Sequence, residues 1–419
     1  MKIQVFRDSN SKKFERLLEK RQIHLIKATA IVKPILDKVQ TRGDRALLEY
    51  AHKFDGLPKK IKTFEIPKSK LKKAWEEVSE SFKKALEQSS ENIRRYAKAQ
   101  KPKEWLEAVD TGITLGQIVR PLEQVGCYVP GGRFPLPSTL LMTVIPAQVA
   151  GVKEISVATP SDSNETWASA YFLKVNRVFR LGGAQAIAAF AYGTGTVPKV
   201  DRIVGPGNVF VAAAKKLLAG QCAIDFVAGP TEVVIISEEG DPKYIAADML
   251  AQAEHDLHAF AILITPNEGL AKKVILEIKR QGKALPKGNI AARSIARNGA
   301  IVIVRDLDEA IELSNHVAPE HLVLPDRKLV AKVANAGSVF IGDYSPEAAG
   351  DYACGPNHVL PTNGFSRVRG GLSVLDYLKI ITVQELSRQG LNTLRSTITT
   401  LARAEGLEAH ARSVEIRLS

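Results

Sequence analysis

Between residues 125 and 342 short apolar runs alternate with helical patterns, and glycines or capping residues mark most of the corners. This alternation constrains the fold more than any other feature of the chain. Strands separated by helices at this spacing make βαβ units, and βαβ units make a parallel sheet. A strand over 125–129 enters Pro130-Gly131-Gly132, followed by an apolar helix over 138–150. A strand spans 154–159. Another spans 177–181 and enters Gly182-Gly183-Ala184-Gln185 and an alanine-rich helix. A third corner, Gly205-Pro206-Gly207-Asn208, follows a strand over 202–204 and opens a helix to 219. Glycine at such corners lets a ligand approach the backbone, and the helix N-termini favour phosphate. Three such corners point to a nucleotide site. No Gly-x-Gly-x-x-Gly fingerprint opens a helix here, so a standard dinucleotide motif is not demonstrated.

A second alternating region follows. Strands are expected over 232–236, 259–265, 300–304 and 338–342. Asp241-Pro242 offers an N-cap and a favoured first residue for a helix to about 255. A helix over 267–281 is closed by Gly282. Asp306-x-x-Glu309 resembles a capping box and starts the helix that leads to 318–322. A helix is expected near 326–335. This region reads as a second open αβ sheet of similar design, without a clear sequence repeat. The flanks read as helical. Residues 1 to about 25 suggest a short arm, and 27–54 is helical with a break at Arg42-Gly43-Asp44. Residues 68–100 suggest a long helix or helix pair ending before Pro102, with no obvious chemistry in these segments. After about 375 two helices are expected, over 383–405 and 407–417. Such a tail has little core of its own and must dock on this subunit or a partner.

The chain has 419 residues, enough for two or more domains, with 45% hydrophobic and 25% charged residues. That is the make-up of a soluble globular protein. No stretch approaches the roughly 18 unbroken apolar residues of a membrane helix, and the N-terminus lacks the apolar core of a secretory signal. A cytoplasmic protein without a membrane partner is expected. Cys127, Cys222 and Cys354 are odd in number and far apart, which argues against a disulfide framework or a thiolate cluster. The net charge of +13 comes largely from lysines mixed with glutamates in early helical segments. A solvated basic face, rather than a nucleic-acid partner, accounts for it.

The chemistry gathers at Ala318-Pro319-Glu320-His321-Leu322. Proline ends the preceding helix and pushes Ala318 toward an extended conformation. Glu320 and His321 then sit at a loop-to-strand corner, and a carboxylate with an imidazole suits proton transfer near neutral pH. Gln252 and His255 lie three apart in a helical last turn and share a face. Asp351 stands in a glycine-rich loop with His358, and Glu405 and His410 lie in the tail. A mixed nitrogen and oxygen set of this kind suits Zn2+, or Mn2+ and Co2+. His258 competes with His255 for the nitrogen position.

The chain resembles the histidinol dehydrogenase family over most of its length. The resemblance rests on Arg42-Gly43-Asp44, Phe54-Asp55-Gly56, VGCYVPGG at 125–132, GAQAIAA at 183–189, GPGN at 205–208 and AGPTE at 228–232. It continues with AQAEHD at 251–256, APEHL at 318–322, GDYACGPNHVLPT at 350–362, GLSV at 371–374 and EGLEAH at 405–410. It implies an α/β protein with two Rossmann-like open αβ domains and small helical N- and C-terminal extensions. It implies an arm over 1–25 and a first domain over 26–127 and 230–374 that carries metal and catalytic residues. It implies a second, NAD-binding domain over 128–229 and a dimerisation tail over 375–419. Gln252, His255, Asp351 and His410 resemble the zinc ligands, and Glu320 and His321 the catalytic pair. Tyr128, Gln185 and Asn208 match NAD-contacting positions. Thr231, His358 and Glu405 line the substrate site, which also includes His321 and the metal ligands. The family usually has serine where this chain has Thr231; the hydroxyl is retained.

The implied reaction takes L-histidinol through L-histidinal to L-histidine with two NAD+ and one water, as the end of histidine biosynthesis. His321 would be the base in both oxidations, and Glu320 would activate the water. The implied assembly is an intertwined homodimer whose tail completes the partner's site. Three other readings exist: a related zinc and NAD dehydrogenase of another amino alcohol or sulfonate, a thiohemiacetal route through Cys354, and a basic scaffold without activity. Glu405 and His410 favour histidinol among these.

Overall fold

The computed structural model describes residues 3–8, 12–21, 25–131 and 135–419. Gly132, the end of the first glycine corner, lies outside the described residues, as do parts of the N-terminal arm. Two open parallel sheets carry the fold. One has five strands in the order Arg177–Phe179, Glu154–Ala158, Gln124–Tyr128, Arg202–Val204, Ala223–Ile224. The other has six, in the order Gln4–Phe6, Ala300–Ile303, Phe260–Thr265, Glu232–Ile236, His321–Leu324, Ser338–Ile341. Helices cover both faces, so central strands such as Glu232–Ile236 and Phe260–Thr265 are buried throughout. That is why they read as unbroken apolar runs rather than as alternating ones.

The helix Pro137–Ala150 is apolar nearly all round because both sides of it are packed. It shares a core with Val125, Cys127 and Val157 on one face of the five-stranded sheet, and with Leu71, Leu86 and Ile93 from Lys68–Glu77 and Glu80–Gln100. On the opposite face, Val32, Leu36, Leu47 and Ala51 from Leu25–Arg42 and Asp44–Phe54 pack with Phe179, Ile187 and Ile203. The helices before residue 100 thus cover the five-stranded sheet, whereas the division implied by the resemblance groups 26–127 with 230–374. On the outer face of those helices, Lys72 pairs with Glu76 and Lys73 with Glu77, at 3.8 and 3.6 Å.

Several local expectations are corrected by long-range pairing. The N-terminal arm holds a strand, Gln4–Phe6, that joins Ala300–Val302, as well as the helix Lys12–Glu19. The C-terminal segment begins with a strand, Leu378–Leu386, where part of a helix is expected. It pairs antiparallel with Ile113–Pro121, which also pairs with Trp105–Asp110. The β-branched run Ile380-Ile381-Thr382-Val383 favours a strand once a partner edge is present. The tail helices then occupy Arg388–Ala404, capped by the Ser387 hydroxyl, and Glu408–Glu415. Glu268–Ala284 runs through Gly282 and stops at Leu285, where the following proline requires extended backbone. Asp306 caps its helix, but the Glu309 carboxylate takes the backbone N–H of Arg305 rather than closing a capping box. The helix expected near 326–335 is a short 3-10 turn, Arg327–Lys332. Among the described residues no helix is long and apolar enough to cross a membrane.

Candidate active site

The six-stranded sheet grows from Glu232–Ile236 to Phe260–Thr265 and Ala300–Ile303 on one side. The chain then crosses back to lay His321–Leu324 on the other side of Glu232–Ile236. The switch of direction therefore falls between these two strands, and both begin there with candidate site residues. His321 sits in register with Val233 on one neighbour and Ser338 on the other. The corner before it is tightly held. Ala318 closes the helix Leu307–Val317 in the left-handed region, φ 51 and ψ 63, rather than the extended one expected before a proline. Its N–H reaches back to the Ser314 carbonyl at 2.8 Å, which satisfies the helix end. The Pro319 carbonyl accepts from Gly337 N and Ser366 Oγ, both at 2.9 Å, and the Glu320 carbonyl accepts from Ser338 N.

Glu320 is 6% exposed and His321 4%. Glu320 Oε2 accepts from the Thr231 hydroxyl at 2.5 Å and from Glu232 N at 2.9 Å. Burial pushes its carboxyl up to about 7. His321 Nδ1 lies 3.3 Å from the Glu232 carbonyl. A carbonyl can only accept, so this contact places the ring proton on Nδ1 and leaves the Nε2 lone pair free in neutral histidine. Nε2 is buried with no hydrogen-bond partner, and Asp351 Oδ1 stands 3.7 Å away. Burial opposes a charged His321, but the carboxylates of Glu320, Asp351 and Glu347 outweigh it and raise the imidazole's pKa, so the ring presents its free Nε2 lone pair once a bound cation or substrate offsets those carboxylates. The pair is a dry acid–base couple with one ring nitrogen aimed at whatever occupies the site.

Gln252 and His255 come from the last turn of Pro242–His255, and Asp351 from the helix Glu347–Tyr352. Burial works against the Asp351 carboxylate, yet His321, His358 and His255 hold its pKa below the ordinary value. His255 rather than His258 contributes to that field. His358 is braced by both ring nitrogens, Nδ1 on the Asp351 carbonyl at 2.9 Å and Nε2 on Thr139 Oγ1 at 3.1 Å. Burial lowers its pKa. The Gln252 amide is caught between Thr231 and the buried Glu347. With its nitrogen on Thr231 Oγ1 at 2.5 Å, its oxygen faces the Glu347 carboxylate, acceptor against acceptor. Turned over, the nitrogen donates to Glu347 at 2.8 and 3.0 Å and the oxygen accepts from Glu232 N. A cation on the Glu347 side would resolve the first arrangement. The amide, imidazole and carboxylate donors of Gln252, His255 and Asp351 fit such an ion.

Glu405 and His410 are exposed in the tail. Among the described residues no group of three or more His, Cys, Asp or Glu side chains is gathered to hold a metal, so His410 does not join His255 and Asp351 within one chain. Cys127 and Cys222 are free and buried, and burial pushes their thiols up to about 12 and 11. Cys354 is free and exposed.

The three positions matched to NAD lie at the carboxyl ends of the five-stranded sheet. Tyr128 ends the strand Gln124–Tyr128, and its hydroxyl accepts from Gly183 N at 3.1 Å. Gln185 lies in the first turn of Gly183–Tyr192, with its amide nitrogen 3.2 and 3.4 Å from the Asp55 carboxylate. Asn208 caps Val209–Leu218, its Oδ1 accepting from Phe210 N and Val211 N at 3.0 and 3.2 Å. Gly205 turns at φ 114, and a Cβ there would stand 2.0 Å from the Tyr128 carbonyl oxygen. Only glycine fits that crossing. Lys215 and Asp225, with side chains 3% and 0% exposed, pair beneath it and bond the Gly205 carbonyl and N–H. Strand order again reverses here, between Gln124–Tyr128 and Arg202–Val204. Open αβ sheets bind ligands at such a point.

Sequence reading missed the buried carboxylates that surround these groups. Glu347 stands four residues before Asp351 on one helix face, and Asp55 lies in the quoted Phe54-Asp55-Gly56. Spacing and motif each offered a signal.

The family model for histidinol dehydrogenase matches residues 18–418. The histidinol dehydrogenase of Geobacter metallireducens is 44% identical over 428 residues, covering 100% of this chain and 98% of its own length. That of Bacillus cereus is 48% identical over 394 residues, covering 92% and 91%. The crystal structure of histidinol dehydrogenase from Elizabethkingia anophelis matches with a TM-score of 0.93 at 33% identity, covering 99% of this chain and 98% of that one. With agreement of this extent in both sequence and structure, the chain belongs to the histidinol dehydrogenase family.

Proposed function

We propose that this protein oxidises L-histidinol to L-histidine in two successive steps, each delivering a hydride to NAD+. The observation that carries the reading is the tautomer of neutral His321: Nδ1 is held by the Glu232 carbonyl, and Nε2 is buried without a hydrogen-bond partner, 3.7 Å from Asp351 Oδ1. In the first step His321 takes the hydroxyl proton as the carbinol hydrogen leaves as hydride. Glu320, with its pKa raised to about 7, takes a proton from the water that adds to the aldehyde. His321 then takes a hydroxyl proton from the hydrate as the second hydride leaves. Two NAD+, one water and one histidinol give histidine, two NADH and the released protons.

Tyr128, Gln185 and Asn208 would hold NAD+, which supplies the hydride acceptor. Gln252, His255 and Asp351, with His410 of a second copy, would hold Zn2+. When bound, the zinc would act as a Lewis acid that fixes the substrate's imidazole and amine. Thr231, His358 and Glu405 would complete the substrate's surroundings. Exposed apolar side chains on both faces of the antiparallel sheet support the dimer: Trp105, Leu106, Val109, Ile380, Ile381 and Leu386 all belong to it and are open in one chain. The tail beyond it carries Glu405 and His410 outward, where a partner's site can take them. A cytoplasmic biosynthetic role accords with these assignments.

The test is the yield of NADH per L-histidinol consumed, with chelator and with added zinc. The reading expects two NADH, lost on chelation and restored by zinc. One NADH with free aldehyde would remove the second oxidation. No NADH from the zinc-loaded dimer would shift the substrate to another amino alcohol.

A further inference from the structure

We propose that Arg21, carried by the N-terminal arm, is a positioning residue for the Glu320–His321 pair and acts through the buried carboxylate of Glu232. The proposal rests on the reading of Glu320 and His321 as the acid–base couple. The early chain shows no chemistry as a sequence, yet Arg21 and Glu232 are 8% and 2% exposed at their side chains, deep beside the catalytic corner. Arg21 Nη1 donates to Glu232 Oε2 at 2.9 Å and to the Val317 carbonyl at 3.0 Å.

These two contacts bracket the catalytic pair. Glu232 opens its strand and serves both catalytic groups through its backbone. Its N–H donates to Glu320 Oε2 at 2.9 Å, and its carbonyl meets His321 Nδ1 at 3.3 Å. Its side chain is pinned from two directions, by Arg21 on Oε2 and by Asn363 N on Oε1 at 3.0 Å. Val317 ends the helix from which Ala318, Pro319 and Glu320 hang. One guanidinium therefore ties the strand that orients the imidazole to the helix end that delivers the carboxylate.

Packing alone does not need this ion pair. Phe14, Leu17 and Leu18 already seat the arm in a core with Val234, Ile311, Val317 and Leu322. Two charges withdrawn from water are a poor source of stability compared with apolar contacts. What the pair supplies is orientation: a planar guanidinium fixes two acceptors in set directions, which a lysine's point charge does not. Both groups flank one Cα, so a displacement of the Glu232 backbone would shift the Glu320 donor and the His321 acceptor together.

The experiment compares Arg21→Met, Arg21→Lys and the double variant Arg21→Met/Glu232→Gln as zinc-loaded dimers. It measures kcat, the KM values for L-histidinol and NAD+, and the melting temperature. Arg21→Met is expected to lower kcat about tenfold or more while the KM for NAD+ moves less than about twofold, because a small misplacement of catalytic groups costs rate rather than cofactor binding. Arg21→Lys should recover part of that loss. The double variant removes the unbalanced buried charge, so its melting temperature should return toward the parent while kcat stays low. Should Arg21→Met fail to fold, the other two variants decide the matter. A kcat that recovers in step with melting temperature would make the pair structural and overturn the proposal, as would an Arg21→Met or double-variant kcat within about twofold of the parent. Glu320→Gln and His321→Asn run beside them; full turnover in those controls would instead bring down the acid–base assignment on which the proposal stands.

Discussion

The two parallel sheets share a design but use opposite edges. In the five-stranded sheet the candidate cofactor residues lie at the carboxyl ends, where Tyr128 finishes a strand and Gln185 and Asn208 open helices. In the six-stranded sheet Glu232 and His321 lie at the amino ends, where strands begin. The helices explain the difference. Each helix that follows a strand starts at the carboxyl edge, so that edge gathers helix N-termini and their partial positive charge. The amino edge gathers helix C-termini, here at His255 and Val317, with partial negative charge. One edge suits the phosphates of a dinucleotide. The other suits a metal cation and a histidine that must take up protons.

The largest effect should come from the amino edge. His321→Asn removes the proposed base for both hydride steps and is expected to lower kcat by about a thousandfold, within the usual range for general-base loss. NAD+ affinity should stay unchanged, and a drop in it would blur the division of labour between the edges. Glu320→Gln should lose roughly a hundredfold, more from histidinal oxidation than from alcohol oxidation. Equal losses in the two half-reactions, measured separately from histidinol and histidinal, would merge the two roles.

The pH profile sharpens the same point. A carboxyl raised to about 7 is increasingly ionised as pH climbs through neutrality, and only the carboxylate can accept the water's proton. Aldehyde oxidation should therefore rise through that range in the parent, and the Glu320-dependent rise should vanish in Glu320→Gln.

At the carboxyl edge, Gln185→Ala should weaken NAD+ binding about tenfold, or about 1.4 kcal/mol, while metal content is unaffected. Binding titration with NAD+ and metal analysis check both halves of that statement. The smallest effect concerns stability. Burial raises the Glu320 and Glu347 pKa values, so the folded site holds protons that the unfolded chain releases. Their contribution is most favourable below the ordinary carboxylate value near 4.5 and falls as pH rises toward the folded values. Zinc held at the proposed site would displace protons from it, so the gap in melting temperature between zinc-loaded and stripped enzyme should widen with pH. A gap constant from pH 6 to about 8 would place the metal away from these carboxylates.

Much of this was legible in the chain. Glycine corners and apolar runs carry their own local physics, so the two parallel sheets follow from 125–342, and Glu320 and His321 could be placed at a strand's start. What could not be read depends on contacts distant in sequence. Gln4–Phe6 becomes a strand only beside Ala300–Val302, and Leu378–Leu386 only beside Ile113–Pro121. Arg21 is indistinguishable from the surface arginines until it meets Glu232, 211 residues later. The family motifs marked Gln252, His255, Asp351 and His410 together, but their alignment could not show that one chain leaves His410 exposed.

The most direct test of the two-edge account measures NAD+ dissociation constants and single-turnover hydride transfer in the same set of variants: Gln185→Ala, Glu320→Gln and His321→Asn. The account predicts a clean split. Gln185→Ala should weaken NAD+ binding yet transfer hydride at near-parent rate when saturated, whereas Glu320→Gln and His321→Asn should bind NAD+ normally and lose rate. Weak NAD+ binding in His321→Asn, or a saturated Gln185→Ala enzyme as slow as His321→Asn, would contradict it.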